Sequence, residues 1–170
     1  PEVVVSGAAA GAQSWAQWQS AIDLAQRRAA TNDTASLLLG IPGLSVTAAG
    51  GVSGLPQYNG LSDDNLDIQL DGMGLIASCP NHMNPVLSYA SPSQVQSITV
   101  YPAGMVPVSV GGDAIGGAIE VKTRAPQFAP TGQASITGGE VIAGYASNGD
   151  ARSLGLNAYY GTQSFAIAYD

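Results

Sequence analysis

The chain has 170 residues, a net charge of −7 and only 10% charged residues, with 22 Gly and 10 Pro. Its hydrophobic content of 45% is enough to form a core, which argues against a disordered chain. With only five Lys and Arg it has no basic face for nucleic acid, and Pro and Gly interrupt any run of about 18 apolar residues that a spanning helix would need.

Cys79 is the only cysteine, so an intrachain disulfide is impossible, and the thiol is expected to be buried, reactive or a metal ligand. The sequence starts at Pro1 without the charged and apolar regions of a signal peptide. If the protein is exported, we therefore expect its signal peptide to have been removed.

Residues 1–30 are predicted to form an N-terminal extension. A strand-prone run at residues 2–6 is followed by Ala and Gly through Gly11, which predicts an extended peptide on a flexible linker. The segment from Ser14 to Ala30 is compatible with a helix, because apolar residues recur there at spacings of three and four. These residues are Trp15, Trp18, Ile22 and Ala25. The helix is expected to pack on its own domain, the alternative being a partner or a membrane surface.

Residues 31–126 are predicted to form a compact domain. Asn32 or Asp33 is expected to cap a short helix that ends near Leu39. Short strands and turns follow, and their signals are Leu66–Leu70, the hairpin dipeptide Asp71-Gly72, the helical turn at Ser91-Pro92, Ile98–Tyr101, the loop Gly111–Gly117 and Ala118–Lys122. The fold class is therefore α+β, a small domain of short mixed strands and short helices.

Residues 127–170 change character. From Leu154 to Tyr160 apolar side chains alternate with small or polar ones, and a similar rhythm repeats near Ile136 and Ile167. Asn148-Gly149 predicts a hairpin turn between two such strands. Strands of this kind are typical of a transmembrane β-barrel wall, although a soluble antiparallel sheet with one wet face has the same local pattern.

Several catalytic and binding motifs are absent. The loop Gly111–Gly117 lacks the Lys that a phosphate-binding loop requires, so its glycines are expected to serve a backbone turn. Cys79 and His82 have no third group that would orient them for catalysis, and we expect no enzyme activity. An acidic cluster does not match a calcium loop and is interpreted as a solvated loop; it consists of Asp63, Asp64, Asp67 and Asp71.

The segment Cys79-Pro80-Asn81-His82-Met83 is the part of the sequence that indicates a metal site. It lies in residues 72–112, which contain no Asp, Glu, Lys or Arg. Cys79 and Met83 are four residues apart and would lie on one side of a helical turn. Thiolate and thioether are soft ligands that select Cu(I), and His82 adds an imidazole. The alternative is that Cys79 and Met83 are ordinary apolar packing and His82 a surface residue.

Six motifs follow one another in order between residues 30 and 126. They are Asp33–Leu39, Ile41–Val46, Tyr58–Leu61, Leu70–Met73, Pro92–Val100 and Gly116–Val121. This ordered set resembles the plug domain of TonB-dependent outer-membrane receptors. Two departures from the family pattern are Asn59, where the family usually has Arg, and Tyr101–Gly104, which lacks the usual Arg-Gly-Pro.

The resemblance implies an active transporter of the bacterial outer membrane with its N-terminus facing the periplasm. Residues 127–170 then look like the start of the barrel, which in the family has about 22 strands in contact with membrane lipid. Because an unclosed barrel would leave bare strand edges in lipid, we expect either that the chain is part of a longer receptor or that the rest of the barrel is absent or a separate chain. The strand-prone run looks like a TonB box, the peptide that pairs with a TonB-type periplasmic partner; it consists of Glu2, Val3, Val4, Val5 and Ser6.

Two further segments, Cys79–Pro85 and Gly111–Gly117, resemble the copper-uptake subgroup of these receptors. In that subgroup a Cys and a Met of the plug bind copper with help from barrel residues, which implies Cys79 and Met83 as ligands here, with His82 as a further candidate. Copper is then the transported cargo. The alternatives are a plug for an iron chelate, haem or cobalamin, and a soluble periplasmic module for binding or signalling.

Overall fold

The computed structural model describes residues 17–18, 21–48, 53–79, 81, 83–111, 114–147 and 150–169. The TonB-box-like residues 2–6, Trp15 and His82 lie outside this range, as does the dipeptide Asn148-Gly149. Within it, every helix is too short or too polar to cross a membrane.

The described residues form one α-helix and a series of short strands joined by 3₁₀ turns. The helix is α1 (Ala21–Ala30). The strands of the first part are β1 (Gln17–Trp18), β2 (Leu44–Ala48), β3 (Gly54–Tyr58), β4 (Leu61–Ser62), β5 (Asp67–Leu70), β6 (Met73–Gly74), β7 (Val95–Tyr101) and β8 (Ala118–Thr123). The last three are β9 (Ser135–Ala146), β10 (Ala151–Thr162) and β11 (Ala166–Tyr169).

The central sheet has five strands in the order β1-β7-β8-β5-β6. β5 and β8 are parallel, and the other neighbours are antiparallel. Alternate residues of β7 and β8 point into the core and are at most 1% exposed; they are Ile98, Val100, Ile119 and Val121. A second sheet, β2-β3-β4, contributes Tyr58 to this core. The strands predicted at Leu66–Leu70, Ile98–Tyr101 and Ala118–Lys122 are confirmed with shifted ends.

The helix predicted from Ser14 to Ala30 is wrong at its start. α1 begins at Ala21, and Gln17 and Trp18 instead form β1, which pairs with Val100 and Thr99 of β7. An unpaired edge of β7 offers backbone hydrogen bonds that local helix propensity does not outweigh. The expectation that the helix packs on its own domain is confirmed, because Leu24 is 1% exposed in the core.

Asp33 caps the first short helix, as predicted. Its carboxylate accepts the backbone N–H of Ala35 at 3.0 Å and the hydroxyl of Ser36 at 2.8 Å. The helix is a 3₁₀ helix, Ala35–Leu38. The same carboxylate accepts the hydroxyl of Ser53 at 2.7 Å, so the cap also holds the segment that leads into β3.

Asp71 corrects the interpretation of the acidic cluster as solvated. It forms the predicted hairpin turn with Gly72, both at positive φ (53° and 79°). Its carboxylate accepts the backbone N–H of Thr123 at 2.8 Å and the hydroxyl of the same residue at 2.7 Å. The β5-β6 turn is therefore tied to the end of β8.

The three last strands form an antiparallel sheet in the order β11-β10-β9. The predicted alternation is confirmed: Leu154 and Val141 on the outer face are 70% and 69% exposed, while Gly155 and Asn157 face inward. Ala146 pairs with Ala151, so the two long strands form the expected hairpin.

Candidate functional site

The segment that contains Cys79 and Met83 lies at one end of the five-stranded sheet. Asp67 and Ala118 are paired where the parallel strands β5 and β8 begin, and this end is called the Asp67 end. β6 runs back along β5, and the N–H of Leu75 donates to the carbonyl of Ile68 at 3.2 Å. The chain therefore returns to the Asp67 end before it reaches Cys79.

The loop that precedes β8 lies at the same end. The N–H of Gly116 donates to the carbonyl of Asn65 at 2.7 Å, and the N–H of Gly117 to that of Ala114 at 3.3 Å. These amides are used inside the fold, which agrees with the prediction that the glycines serve a turn; Gly117 has φ +102°. The segment Cys79–Pro85 therefore starts at the Asp67 end of the sheet. The segment Gly111–Gly117, which is far from it in sequence, ends there.

Both sulfur-bearing side chains of the segment are accessible. Met83 is 63% exposed and Cys79 is half-buried. Cys79, Asn81 and Met83 form bends and a turn, which corrects the predicted helical turn. Pro80 and Pro85 explain the difference, because proline disfavours the helical conformation in the residue before it.

The hydroxyl of Tyr89 joins the two ends of this segment. It accepts the backbone N–H of Ser78 at 3.2 Å and the side-chain amide of Asn84 at 3.4 Å. It also makes a hydroxyl–hydroxyl hydrogen bond with Ser78. Ser78 and Asn84 immediately flank Cys79 and Met83, so residues 78–84 form a closed loop, called here the Tyr89 loop.

The residues that follow this loop anchor it to the core. Pro85, which precedes the 3₁₀ helix Val86–Tyr89, is fully buried, and Leu87 inside that helix is 3% exposed. The hydroxyl of Ser88 donates to the side-chain oxygen of Asn84 at 2.6 Å. No sequence pattern points to Ser78, Asn84 and Tyr89, because polar residues separated by five and eleven positions give no periodic signal.

The donor set within the described residues is small. They contain no group of three His, Cys, Asp or Glu side chains that could hold a metal ion. Cys79 and Met83 could offer two sulfur donors, a chemistry suited to Cu(I). Two donors alone make an incomplete metal shell.

A second cluster lies where the compact domain meets β9 and β10. Arg124 forms an ion pair with Glu140, and Asn157 donates to the same carboxylate at 3.3 Å. Arg28 of α1 donates to the carbonyl of Val95 at 2.8 Å. Burial, and next the charge of Arg124, lower the pKa of the Arg28 guanidinium. These contacts attach the last strands to the domain.

Comparison with known proteins identifies the class. The family model "TonB-dependent Receptor Plug Domain" matches residues 16–118, and the chain belongs to this family. None of the curated proteins matches the sequence. The fold is accordingly a plug domain followed by the first strands of a transmembrane barrel, and the similar structures are described as transporters and receptors.

Three solved structures show the similarity in detail. A structure described as the copper transporter OprC is 25% identical, with a TM-score of 0.63 over 87% of this chain and 21% of its own. The ferric enterobactin receptor PfeA from Pseudomonas aeruginosa is 18% identical, with a TM-score of 0.57 over 96% of this chain and 26% of its own. The FrpB iron transporter from Neisseria meningitidis is 18% identical, with a TM-score of 0.55 over 86% and 23%. The chain thus spans about a fifth to a quarter of these proteins.

Proposed function

We propose that this plug belongs to an outer-membrane transporter that imports copper into the periplasm, with Cys79 and Met83 as cargo ligands. The observation that carries the proposal is that the Met83 thioether is 63% exposed on the same closed loop as the Cys79 thiol. Two accessible sulfur donors on one loop suit a soft ion such as Cu(I).

The chemistry of the loop favours copper over harder metals. Residues 72–112 contain no Asp, Glu, Lys or Arg, so the loop offers no carboxylate to Fe(III), Mg²⁺ or Ca²⁺. His82 is proposed as an additional imidazole ligand, and barrel residues as the source of the remaining ones. The similarity to a structure described as a copper transporter supports the same cargo. The iron-siderophore receptors are below 25% identity and support the fold alone.

Substitution of each sulfur ligand tests the proposal. Cys79→Ser and Met83→Leu in the native protein, purified from copper-supplemented cells, should each lower the Cu(I) affinity by more than about 100-fold. Removal of a group that merely orients a metal ligand already costs about 10–100-fold. Metal analysis and Cu(I) titration measure the effect.

Met105→Leu is the matched control, because Met105 is similarly exposed at 53% and lies outside the Tyr89 loop. It should leave the copper affinity unchanged. Unchanged copper content in both Cys79→Ser and Met83→Leu would contradict the copper site, and growth rescue by an iron chelate would then favour the iron-chelate alternative.

We further propose that residues 2–6 couple the transporter to a TonB-type periplasmic protein, with the N-terminus on the periplasmic side. Val3, Val4 and Val5 are β-branched and suited to strand addition, in which main-chain hydrogen bonds give affinity. Val4→Pro removes one donor and fixes φ, so it should abolish copper uptake and leave copper binding intact. Val4→Ile should be nearly neutral. Normal uptake by Val4→Pro would show that this peptide has another role.

A further inference from the structure

We propose that Tyr89 is a positioning residue for the copper site: its hydroxyl closes the loop that carries Cys79 and Met83 and thereby holds the two sulfurs together. This inference rests on the proposed function and assigns a role to a residue that contacts neither sulfur through a hydrogen bond. Its basis is the set of contacts made by one phenolic oxygen at the base of the loop.

Three hydrogen bonds meet at that oxygen. The N–H of Ser78 at 3.2 Å and the side-chain amide of Asn84 at 3.4 Å both donate to it. In the hydroxyl–hydroxyl contact with Ser78 either oxygen can be the donor. The phenol therefore bonds both residues that flank the metal-binding segment.

One side of this connection is fixed to the core. The 3₁₀ helix Val86–Tyr89 is held by Leu87, which is 3% exposed in the core. Asn84 is oriented from its other end, since its side-chain oxygen accepts the hydroxyl of Ser88 at 2.6 Å. Tyr89 therefore connects Ser78, at the start of the loop, to a base that packs in the core.

Loop closure affects the metal affinity, because an open loop loses conformational entropy when a metal ion orders it. Fixing the backbone of one residue costs roughly 1–2 kcal/mol. A loop already closed at Ser78 and Asn84 has fewer conformations to lose, and its two sulfurs meet one ion more often. Without the hydroxyl, Cys79 would still bind copper, but the thioether of Met83 would be recruited less often.

Tyr89→Phe is a clean test, because it removes only the hydroxyl. The ring is 43% exposed, so water can reach the polar groups of Ser78 and Asn84 in the variant and the domain should fold normally. In the native protein purified in detergent, the Cu(I) affinity measured against bicinchoninate should fall about tenfold, the lower end of the range for groups that orient a metal ligand.

Two further measurements distinguish positioning from a general loss of structure. X-ray absorption of the Cu(I)-loaded variant should show fewer sulfur neighbours than the wild type. In the metal-free variant, Cys79 should react several-fold faster with a maleimide. Tyr145→Phe is the matched control, since the Tyr145 hydroxyl donates to Asp150 at 2.8 Å far from the loop. Tyr145→Phe should change neither the number of sulfur neighbours nor the rate of the maleimide reaction.

A double variant tests the connection itself. If Tyr89 acts through Asn84, then Asn84→Ala should lower the affinity in the wild type and have little additional effect in the Tyr89→Phe background. Additive losses would overturn the inference, as would wild-type affinity, sulfur count and thiol reactivity in Tyr89→Phe. Copper binding retained in both Cys79→Ser and Met83→Leu would overturn the proposed function, whereas the maleimide rate of metal-free Tyr89→Phe tests the loop closure separately, without copper.

Discussion

The plug sheet and the β9-β10 hairpin use the same alternating pattern in opposite environments. In the plug sheet the apolar residues point inward, and Val100 and Val121 are fully buried. In the hairpin Leu154 of β10 and Val141 of β9 point outward and are 70% and 69% exposed, while Ile136 and Ile142 of β9 lie on the inner face opposite Gly161 and Gly155. Period-two alternation therefore identifies a strand but does not say on which side water lies.

The inner face of the hairpin shows how the two regions fit together. Glycines on that face allow other backbone segments to approach directly: a Cβ at Gly144 would lie 2.7 Å from the carbonyl oxygen of Ala29 in α1, and one at Gly161 would collide with that of Gln127, in the connection to β9. Close backbone approach and the Arg124–Glu140 ion pair therefore both contribute to the packing of this face.

The largest expected effect comes from breaking the plug core. Leu37→Ala, at a site with 0% exposure, should lower the free energy of unfolding by about 2–5 kcal/mol, because it leaves a cavity. Urea unfolding followed by near-ultraviolet circular dichroism in detergent measures the change. The matched control Leu154→Ala, on the outer face, should cost far less. Equal losses at both sites would contradict the comparison.

A smaller effect is expected where the connection that leads into β9 crosses the inner face of the strands. Gly161→Ala should cost about 1–3 kcal/mol, because the added methyl group has no space beside the Gln127 carbonyl. Gly155→Ala on the same strand is the control, since its nearest neighbours would be 3.7 Å away and the change should stay within about 0.5 kcal/mol. The same urea assay applies, and a costly Gly155→Ala would show that the inner face is uniformly tight.

The smallest effect is expected for the ion pair between the two regions. Arg124 and Glu140 are partly exposed, so a double-mutant cycle with Arg124→Gln and Glu140→Gln should give a coupling energy of about 0.5–1 kcal/mol. The coupling should decrease in high salt. A coupling that is independent of salt would point to steric rather than electrostatic attachment.

Much of the fold could be predicted from the sequence, because its signals are local. Alternation predicts β5, β7 and β8, a positive-φ dipeptide predicts the turn at Asp71-Gly72, and a cap residue predicts the role of Asp33. The start of α1 could not be predicted in this way. Trp18 forms a strand only because Thr99, far along the chain, presents its backbone at the sheet edge.

The candidate site likewise contains residues that the sequence reveals and residues whose role depends on the folded chain. Cys79 and Met83 are conspicuous in the sequence because soft ligands are rare and closely spaced here. Tyr89 carries no such signal, since its role depends on a loop that brings Ser78 and Asn84 to one oxygen. Likewise, Asp71 is recognisable as a turn residue, but its contact with Thr123 exists only in the folded chain.

The short strand β1 is the part of the domain that a pull on the N-terminal side of the chain would detach first. Both described residues of β1, Gln17 and Trp18, pair with β7. The helix α1, which follows it, is held by Leu24 in the core and by the hydrogen bond from Arg28 to the carbonyl of Val95. Tension applied to the chain before Gln17 therefore loads β1 first and α1 second. Peeling β1 away uncovers the backbone edge of β7 while the core stays intact, so the sheet yields in steps rather than all at once.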